Sequence, residues 1–300
     1  MTGTPHMPAS DRPGLHRALA IARATVASHA AKLSAVIMLA VLACALFPGL
    51  FAPQDPFDQD LSRRLMGPWF AARSLEGHPL GTDQLGRDIL SRIIHGARIT
   101  LLVSLFAVAV SAVVGVAAGV VAGFRGGWVD ALILRAIDIQ LAFPVVLLVI
   151  VAVAVTGPSL ANVVVMMGLS GWPRFARIAR ASVLSIRQSE FIEAARAIGV
   201  GRWRTMRRHI LPNISSALIV YASFELARMI LLEATLSFLG LGVQPPTPTW
   251  GGMINDGRAY LHISWAVSLF PGLAIALVIF AVNMLGDELR DALDPQLADD

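Results

Sequence analysis

The chain carries little charge. Asp, Glu, Lys and Arg make up 15% of its 300 residues, and 56% are hydrophobic. Soluble domains are nearer ~25% charged and ~45–50% apolar. Long segments here are apolar all round, which suits lipid or a buried bundle. Lysine is almost missing: Lys32 is the only one, and arginine supplies the other 23 of the 24 basic residues. No Gly-rich loop lies beside that lysine, so there is no G-x-x-x-x-G-K-[ST] and no P-loop for ATP in this chain. With Cys44 as the only cysteine, an intrachain disulfide is excluded. The chain has no H-E-x-x-H, no cysteine cluster and seven scattered histidines, which argues against a protein-held zinc. A net charge of +4 does not by itself point to nucleic acid, because the arginines sit between apolar runs.

What is present is a series of such runs. A window of about 20 residues gives six expected spans: Leu33–Ala52, Ile99–Phe124, Leu132–Val155, Leu160–Ile178, Ile214–Leu241 and Ser264–Leu285. The first lacks a small-residue cleavage site and is followed by "PGLFAP", so it is expected to stay as a span. Pro144 in "AFP" should kink the third. The fourth is the weakest, because "GLSGWPR" puts two Gly and a Pro in its second half.

Orientation follows from arginine and lysine in the short loops. The tail has Arg12, Arg17, Arg23 and Lys32, and the loop after the fourth span carries nine arginines from Arg174 to Arg208. The loop after the fifth span has one, Arg258. Both termini are therefore expected in the cytoplasm. The external loop weakens this bias with Arg63, Arg64, Arg73, Arg87 and Arg92, but it also has six acids. The expected organisation is a cytoplasmic tail over 1–32, a transmembrane domain over 33–285 and a cytoplasmic end over 286–300. Residues 53–98 would form an external loop and 179–213 a cytoplasmic one.

That cytoplasmic loop is the most informative stretch. Ser189 is a candidate N-cap, with Glu190 and Glu193 in the first turn and Ala194, Ala195 and Ala197 favouring helix. Gly199 suits a helix stop. Arg202 to Leu211 reads as a second helix, with Trp203, Met206 and Ile210 on one face and Pro212 ending it. Arginine there would retain the loop in the cytoplasm, but two short helices joined by Gly-Val-Gly suggest a surface that another protein grips.

"EAARAIGVGRWRTMRRHILPN" resembles the EAA loop of bacterial ABC-importer permeases. The matching positions are Glu193, Ala194, Ala195, Gly199, Ile210, Leu211 and Pro212. Three further stretches resemble the second permease subunit of dipeptide/oligopeptide/nickel importers: "HPLGTDQLGRDILSRIIHGARITL", "EATLSFLGLGVQPPTPTWGGMI" and "GDELRDALDPQL". The resemblance spans about Leu33 to Leu297. It implies an all-α integral membrane protein with six transmembrane helices and the type I importer permease (MetI-like) fold. It implies that the Glu190–Ile198 helix couples to a separate ATPase subunit. The implied partners are a homologous second permease, two ABC ATPase subunits, a soluble substrate-binding protein and the lipid bilayer, with no nucleic acid. ATP and Mg would belong to the ATPases, with no cofactor on this non-catalytic chain. Di- or oligopeptides are the expected cargo, with nickel chelates or glutathione as alternatives.

Charges within the spans call for separate reasons, since each costs about 2.5–3.5 kcal/mol at the bilayer centre on insertion scales. Glu225 and Arg228 can pair at i, i+3. Glu233 has no opposite charge at helical spacing and should face another chain, water or the pathway. Either the fifth span lines the route or these are satisfied structural groups. Asp138 with Arg135 reads as structural, and Arg174, Arg177 and Arg180 should snorkel at the interface. Asp83 is a candidate N-cap for an amphipathic helix with Ile89, Leu90, Ile93, Ile94 and Ala97 on one face and Arg87, Asp88, Ser91 and Arg92 opposite. That helix is either a docking surface or a scaffold. "VQPPTPTWGG" is expected to cap the outer end of the path, with Trp250 at the membrane interface.

Two rival functions remain. "GLSG", Gly168 to Gly171, fits the G-x-S-G pattern of rhomboid proteases, with Ser170 and His262 as a possible dyad. Close helix packing through Gly168 and Gly171 explains the same residues. A self-sufficient secondary transporter would show two related halves, and no fixed-period repeat is evident.

Overall fold

The computed structural model describes residues 29–190, 192 and 201–293. Among these residues the protein is all helix, with only two isolated bridges, Gly67 to Ser74 and Thr82 to Asp88. The elements are α1 (His29–Leu46), α2 (Pro48–Phe51), α3 (Ile89–Arg125), α4 (Gly127–Leu141), α5 (Val145–Thr156), α6 (Leu160–Arg187), α7 (Arg202–Thr205), α8 (Leu211–Phe238), α9 (Trp250–Gly257) and α10 (Ala266–Leu293). Each of the six expected spans falls on one of these helices, or on a linked pair. By length and composition α1, α3, α8 and α10 can cross a membrane, and α4 with α5 makes a fifth crossing if taken as one broken span. The sixth candidate, α6, is long enough, but Arg174, Arg177, Arg180 and Arg187 lower its hydropathy. Large apolar side chains remain exposed on α1, α3 and α5, among them Val36, Leu39, Val113, Val151 and Val155. A water-facing surface would not expose so many together.

The proline at position 144 does more than kink its span. α4 and α5 meet at 87° across it, because Pro144 has no N–H for the helix ladder and disfavours the helical conformation at Phe143. Pro173 and Pro271, in contrast, lie inside continuous helices. The fourth span, expected to be the weakest, is a continuous helix, yet it is the one that falls short of the others in hydropathy.

α3 has 37 residues, about 55 Å at 1.5 Å per residue, against an apolar bilayer core of about 30 Å. It absorbs the amphipathic segment that the sequence sets apart. Its N-cap is Asp88, not Asp83; the Asp88 carboxylate accepts from the Ser91 N–H at 2.7 Å. Asp83 instead closes the preceding turn, accepting from the N–H groups of Leu85 and Arg87 at 2.8 and 3.0 Å. Both faces of this first stretch are covered. Arg87, Asp88, Ser91 and Arg92 are buried along with Ile89, Ile94 and Ala97, so it is a scaffold within the protein and not a helix on the membrane surface.

The most extensive helix contact is between α3 and α6. Gly115, Gly119 and Gly123 repeat every fourth residue, so they lie along one face of α3. A side chain at Gly115 would collide with the Trp172 carbonyl, and one at Gly119 with the Ala176 carbonyl. A Cβ at Gly123 would lie 3.0 Å from the Val183 Cβ. From the other helix, a Cβ at Gly168 would lie 2.6 Å from the Val110 Cβ. Small residues allow the two backbones to meet where lipid supplies no hydrophobic drive for association. Next to this seam, Val103 and Ala107 of α3, Met167 and Phe175 of α6, and Met229 and Leu236 of α8 share one core. α10 packs on α8, α1 and α9.

Candidate functional site: the coupling end and the intramembrane polar groups

At the end of the bundle where α6 leaves and α8 enters, a compact apolar knot forms. Ile192, Ile210 and Ile214 are buried against Val120 of α3 and against Ala179 and Val183 of α6. Ile192 lies within the Glu190–Ile198 segment expected to grip a partner, and Ile210 lies at the far end of the loop that carries it. Both are fully buried, so the two stems of that segment are fastened to the α3–α6 seam. Glu193, Ala194, Ala195 and Gly199 lie outside the described residues. Ser189 does not show the expected cap: its hydroxyl donates to the Ile186 carbonyl at 2.6 Å.

Pro212 does not end a helix either. The chain runs from α7 through a π-turn, Met206–Ile210, directly into α8, where Pro212 takes the first turn. Pro212 offers no N–H to the turn below and its ring crowds the carbonyl four residues back. A wider i→i+5 turn relieves both, and the Leu211 N–H bonds to the Met206 carbonyl. The widening helps keep Ile210 in the knot while Leu211 is half-buried and Pro212 is exposed.

Higher on α8, Glu225 is buried. Arg228 donates from Nε to Glu225 Oε2 at 2.9 Å and pairs again with Oε1. The Tyr221 hydroxyl donates to the same Oε2 at 2.9 Å. A Cβ at Gly171 of α6 would lie 2.6 Å from Glu225 Oε1, so the pair is turned towards α6. The expected i, i+3 pairing therefore forms, and it is satisfied within the chain. Glu233 is fully buried. Its Oε1 accepts from the Ser237 hydroxyl at 2.6 Å, and its Oε2 has no hydrogen-bond partner among the described residues. Of the expected surroundings, another chain, water or the pathway, water does not reach Glu233 within this chain.

The α4–α6 contact carries ion pairs that spacing along one helix cannot reveal. Asp138 pairs with Arg177 of α6 at 2.7 Å, not with Arg135. Arg180 grips Asp130 through two bonds, at 2.5 and 2.6 Å. Arg177 and Arg180 thus tie two helices together instead of reaching for headgroups.

Ser170 has no histidine partner. Its hydroxyl donates to the Met167 carbonyl at 2.6 Å, one turn back. Around it, Ser111 donates to the Gly168 carbonyl and Gln140 donates to the Leu169 carbonyl, at 2.7 and 2.9 Å. His262 is exposed in the loop before α10. The G-x-S-G stretch is a packing motif, which overturns the dyad. Ser170→Ala is expected to leave uptake of labelled cargo within about twofold of wild type, because one local helix bond of about 1 kcal/mol is lost. Loss of uptake with an intact fold would restore a chemical role for Ser170.

On the opposite end, the loop before α3 is organised around Asp83. Arg87 donates from Nε to Asp83 Oδ2 at 2.7 Å, and Arg92 pairs with the same oxygen. His78 is bonded to Asp88 at 3.0 Å. Trp250, expected at the interface, is instead buried and donates from Nε1 to the Ile93 carbonyl at 2.9 Å. Gly96 makes room for its ring, which lies 3.2 Å from the position of a Cβ there.

Among the described residues this arrangement joins long helices through packed apolar contacts, and Ser170 has no base beside it. Residues 115–299 match the model of the family described as the binding-protein-dependent transport system inner membrane component. This chain belongs to that family. The permease has several curated relatives of similar length. The glutathione transport system permease protein GsiD of Pectobacterium atrosepticum is 43% identical over 272 residues, covering 90% of this chain and 88% of that one. The di/tripeptide transport system permease protein DppC of Pseudomonas aeruginosa is 43% identical over 262 residues, covering 87% and 86%. The dipeptide transport system permease protein DppC of Alkalihalophilus pseudofirmus is 44% identical, covering 87% and 84%. Among solved structures, an inward-facing form of the MetNI methionine ABC transporter matches with a TM-score of 0.58 at 18% identity, over 69% of this chain and 98% of that chain. That likeness shows the fold alone. The permease is thus a multi-pass inner-membrane subunit of an ATP-binding-cassette importer, as the EAA loop implied.

The glycine repeat of α3 was missed by reading spans only for hydropathy. Its signal, G-x-x-x-G-x-x-x-G from Gly115 to Gly123, stands in the sequence.

Proposed function

We propose that this permease forms half of the transmembrane pathway for di- and oligopeptides, with a homologous second permease as the other half. Two ABC ATPase subunits dock from the cytoplasm, where both termini of the permease lie. A soluble binding protein delivers the peptide from outside. ATP and Mg are held by the ATPases, and this chain binds no cofactor and catalyses nothing. The observation that carries the reading is the burial of Ile192 and Ile210 on the α3–α6 seam. A push on the segment between them is applied to two long helices at once. ATP-driven closure of the ATPases moves the Glu190–Ile198 helix, and α3 and α6 follow as a unit to open the route outward. Hydrolysis resets them. Each state is favoured by the contacts it makes better than the other.

The DppC relatives support the peptide cargo, and the GsiD relatives support glutathione at the same identity. Glutathione is itself a tripeptide, so both describe a short, carboxylate-bearing peptide. The reconstituted complex with its binding protein should be given labelled dialanine, a labelled pentapeptide, labelled glutathione and nickel-63. ATP-dependent accumulation of dialanine or the pentapeptide is the expected result. Accumulation of glutathione alone would transfer the assignment to that cargo, and nickel alone would overturn peptide transport.

A further inference from the structure

The external end of the permease holds a cavity of about 310 Å³. Its walls come from the loop before α3, the end of α8 with the loop that follows, and α9. This size is at the low end of small-ligand sites, which run about 300–1,000 Å³. Arg87 and Arg92 line it and are 5% and 4% exposed. Asp83 is the one acid held closely by both. Asp256 stands farther off, 3.5 Å from Arg87 and 3.4 Å from Arg92, with its side chain 30% exposed. Two buried guanidiniums therefore share one tightly bound carboxylate. Beyond Nε, the Arg87 guanidinium makes no hydrogen bond among the described residues; its terminal amine reaches only Asp256, beyond good bonding distance. Gln84 also lines the cavity, and its amide oxygen has no partner among the described residues.

Buried charged and amide groups are costly while incompletely bonded. A carboxylate is the anion that fits the planar fork of a guanidinium. Gln84 asks for a different group, since its carboxamide can turn to meet an amide N–H. Leu85 and Val243 add an apolar wall. A carboxylate, an adjacent amide N–H and a small apolar side chain occur together at the end of a peptide.

We propose that this cavity is an external subsite for the carboxyl-terminal residue of the transported peptide. Arg87 and Arg92 take the carboxylate, Asp256 swings outward to release them, and Gln84 meets the last peptide N–H. The proposal rests on the peptide reading above. It makes Asp256 an internal competitor for the guanidiniums, so that its removal frees them for the peptide.

The test uses the full permease–ATPase complex in nanodiscs, without binding protein, and radiolabelled dialanine as probe. Dialanine is expected to bind, and unlabelled dialaninamide is expected to displace it at least about tenfold less well, the worth of a charge-assisted bond. Arg87→Gln should weaken binding by a similar factor. Asp256→Asn should tighten it several-fold, because the competing carboxylate is gone. A structural cluster predicts the opposite sign for Asp256→Asn, and that result overturns the subsite. So does absent binding to wild type, or equal displacement by the amide. If Arg87→Gln fails to fold, the Asp256→Asn and amide arms decide. Uptake with binding protein present separates the two readings. Dialanine uptake without this binding rejects the subsite alone, while no uptake of any peptide rejects the cargo.

Discussion

Gly119→Leu is expected to leave almost no folded permease in the membrane. A Cβ there collides with the Ala176 carbonyl and comes within 2.8 Å of the Ala179 Cβ. Both are parts of the α6 backbone or attached directly to it, so no flexible side chain can yield. α3 and α6 would separate along the seam that also holds Ile192 and Ile210. Overpacking costs about 1–3 kcal/mol where neighbours can adjust, and occasionally more; here the seam offers little adjustment, so about 3 kcal/mol or more is expected. Gly272→Leu is the matched control, because nothing lies within 4 Å of the Cβ position. Yield of monodisperse protein and the thermal midpoint in detergent report the difference. Wild-type values for Gly119→Leu would show that the two helices do not meet as closely as described.

Glu193→Arg is expected to have the second large effect, on transport and not on folding. The resemblance to the EAA loop makes Glu193 part of the helix that another subunit grips, and charge reversal should expel it from that site. ATPase subunits should no longer co-purify, and ATP-driven peptide uptake should fall to background. The thermal midpoint of the permease itself should stay within about 2 °C, since a surface substitution changes stability by about 0.5 kcal/mol or less. Ile210→Ala offers the contrasting result. It empties a buried position on the α3–α6 seam, so the ATPases remain bound while transport per ATP hydrolysed drops. Wild-type transport by Glu193→Arg would remove the coupling assignment.

The two substitutions mark different ends of one lever. Glu193 belongs to the part that the proposed mechanism sets against a partner, and Ile210 to the part fastened inside the bundle. Transmission between them needs no strain and no charge movement. It needs the knot of Val120, Ala179, Val183, Ile192 and Ile210 to behave as one body, as close-packed interiors do.

Hydropathy marks five of the six expected crossing segments, counting α4 with α5 as one, because bilayer thickness imposes a length and a composition on each, while the arginines of α6 hold it below the others. The resemblance to the EAA loop was legible too, because it rests on residue types and spacing read locally along the chain. Other features depended on contacts between distant segments. Asp138 chose Arg177 over Arg135 because α4 and α6 lie side by side, and spacing along one helix says nothing about a neighbour. Trp250 went inward because Gly96 leaves room for an indole and the Ile93 carbonyl accepts its N–H. Arg87 and Arg92 look like a polar face in one dimension, yet burial around Asp83 makes them the wall of a cavity. The sequence by itself determined that this protein lives in a membrane, how its spans are ordered and which importer family it resembles. The tertiary structure alone decided which charges are satisfied, which glycines bring helices together and where two buried guanidiniums line a cavity. Those outcomes depend on which atoms meet, and that is settled only when the helices pack.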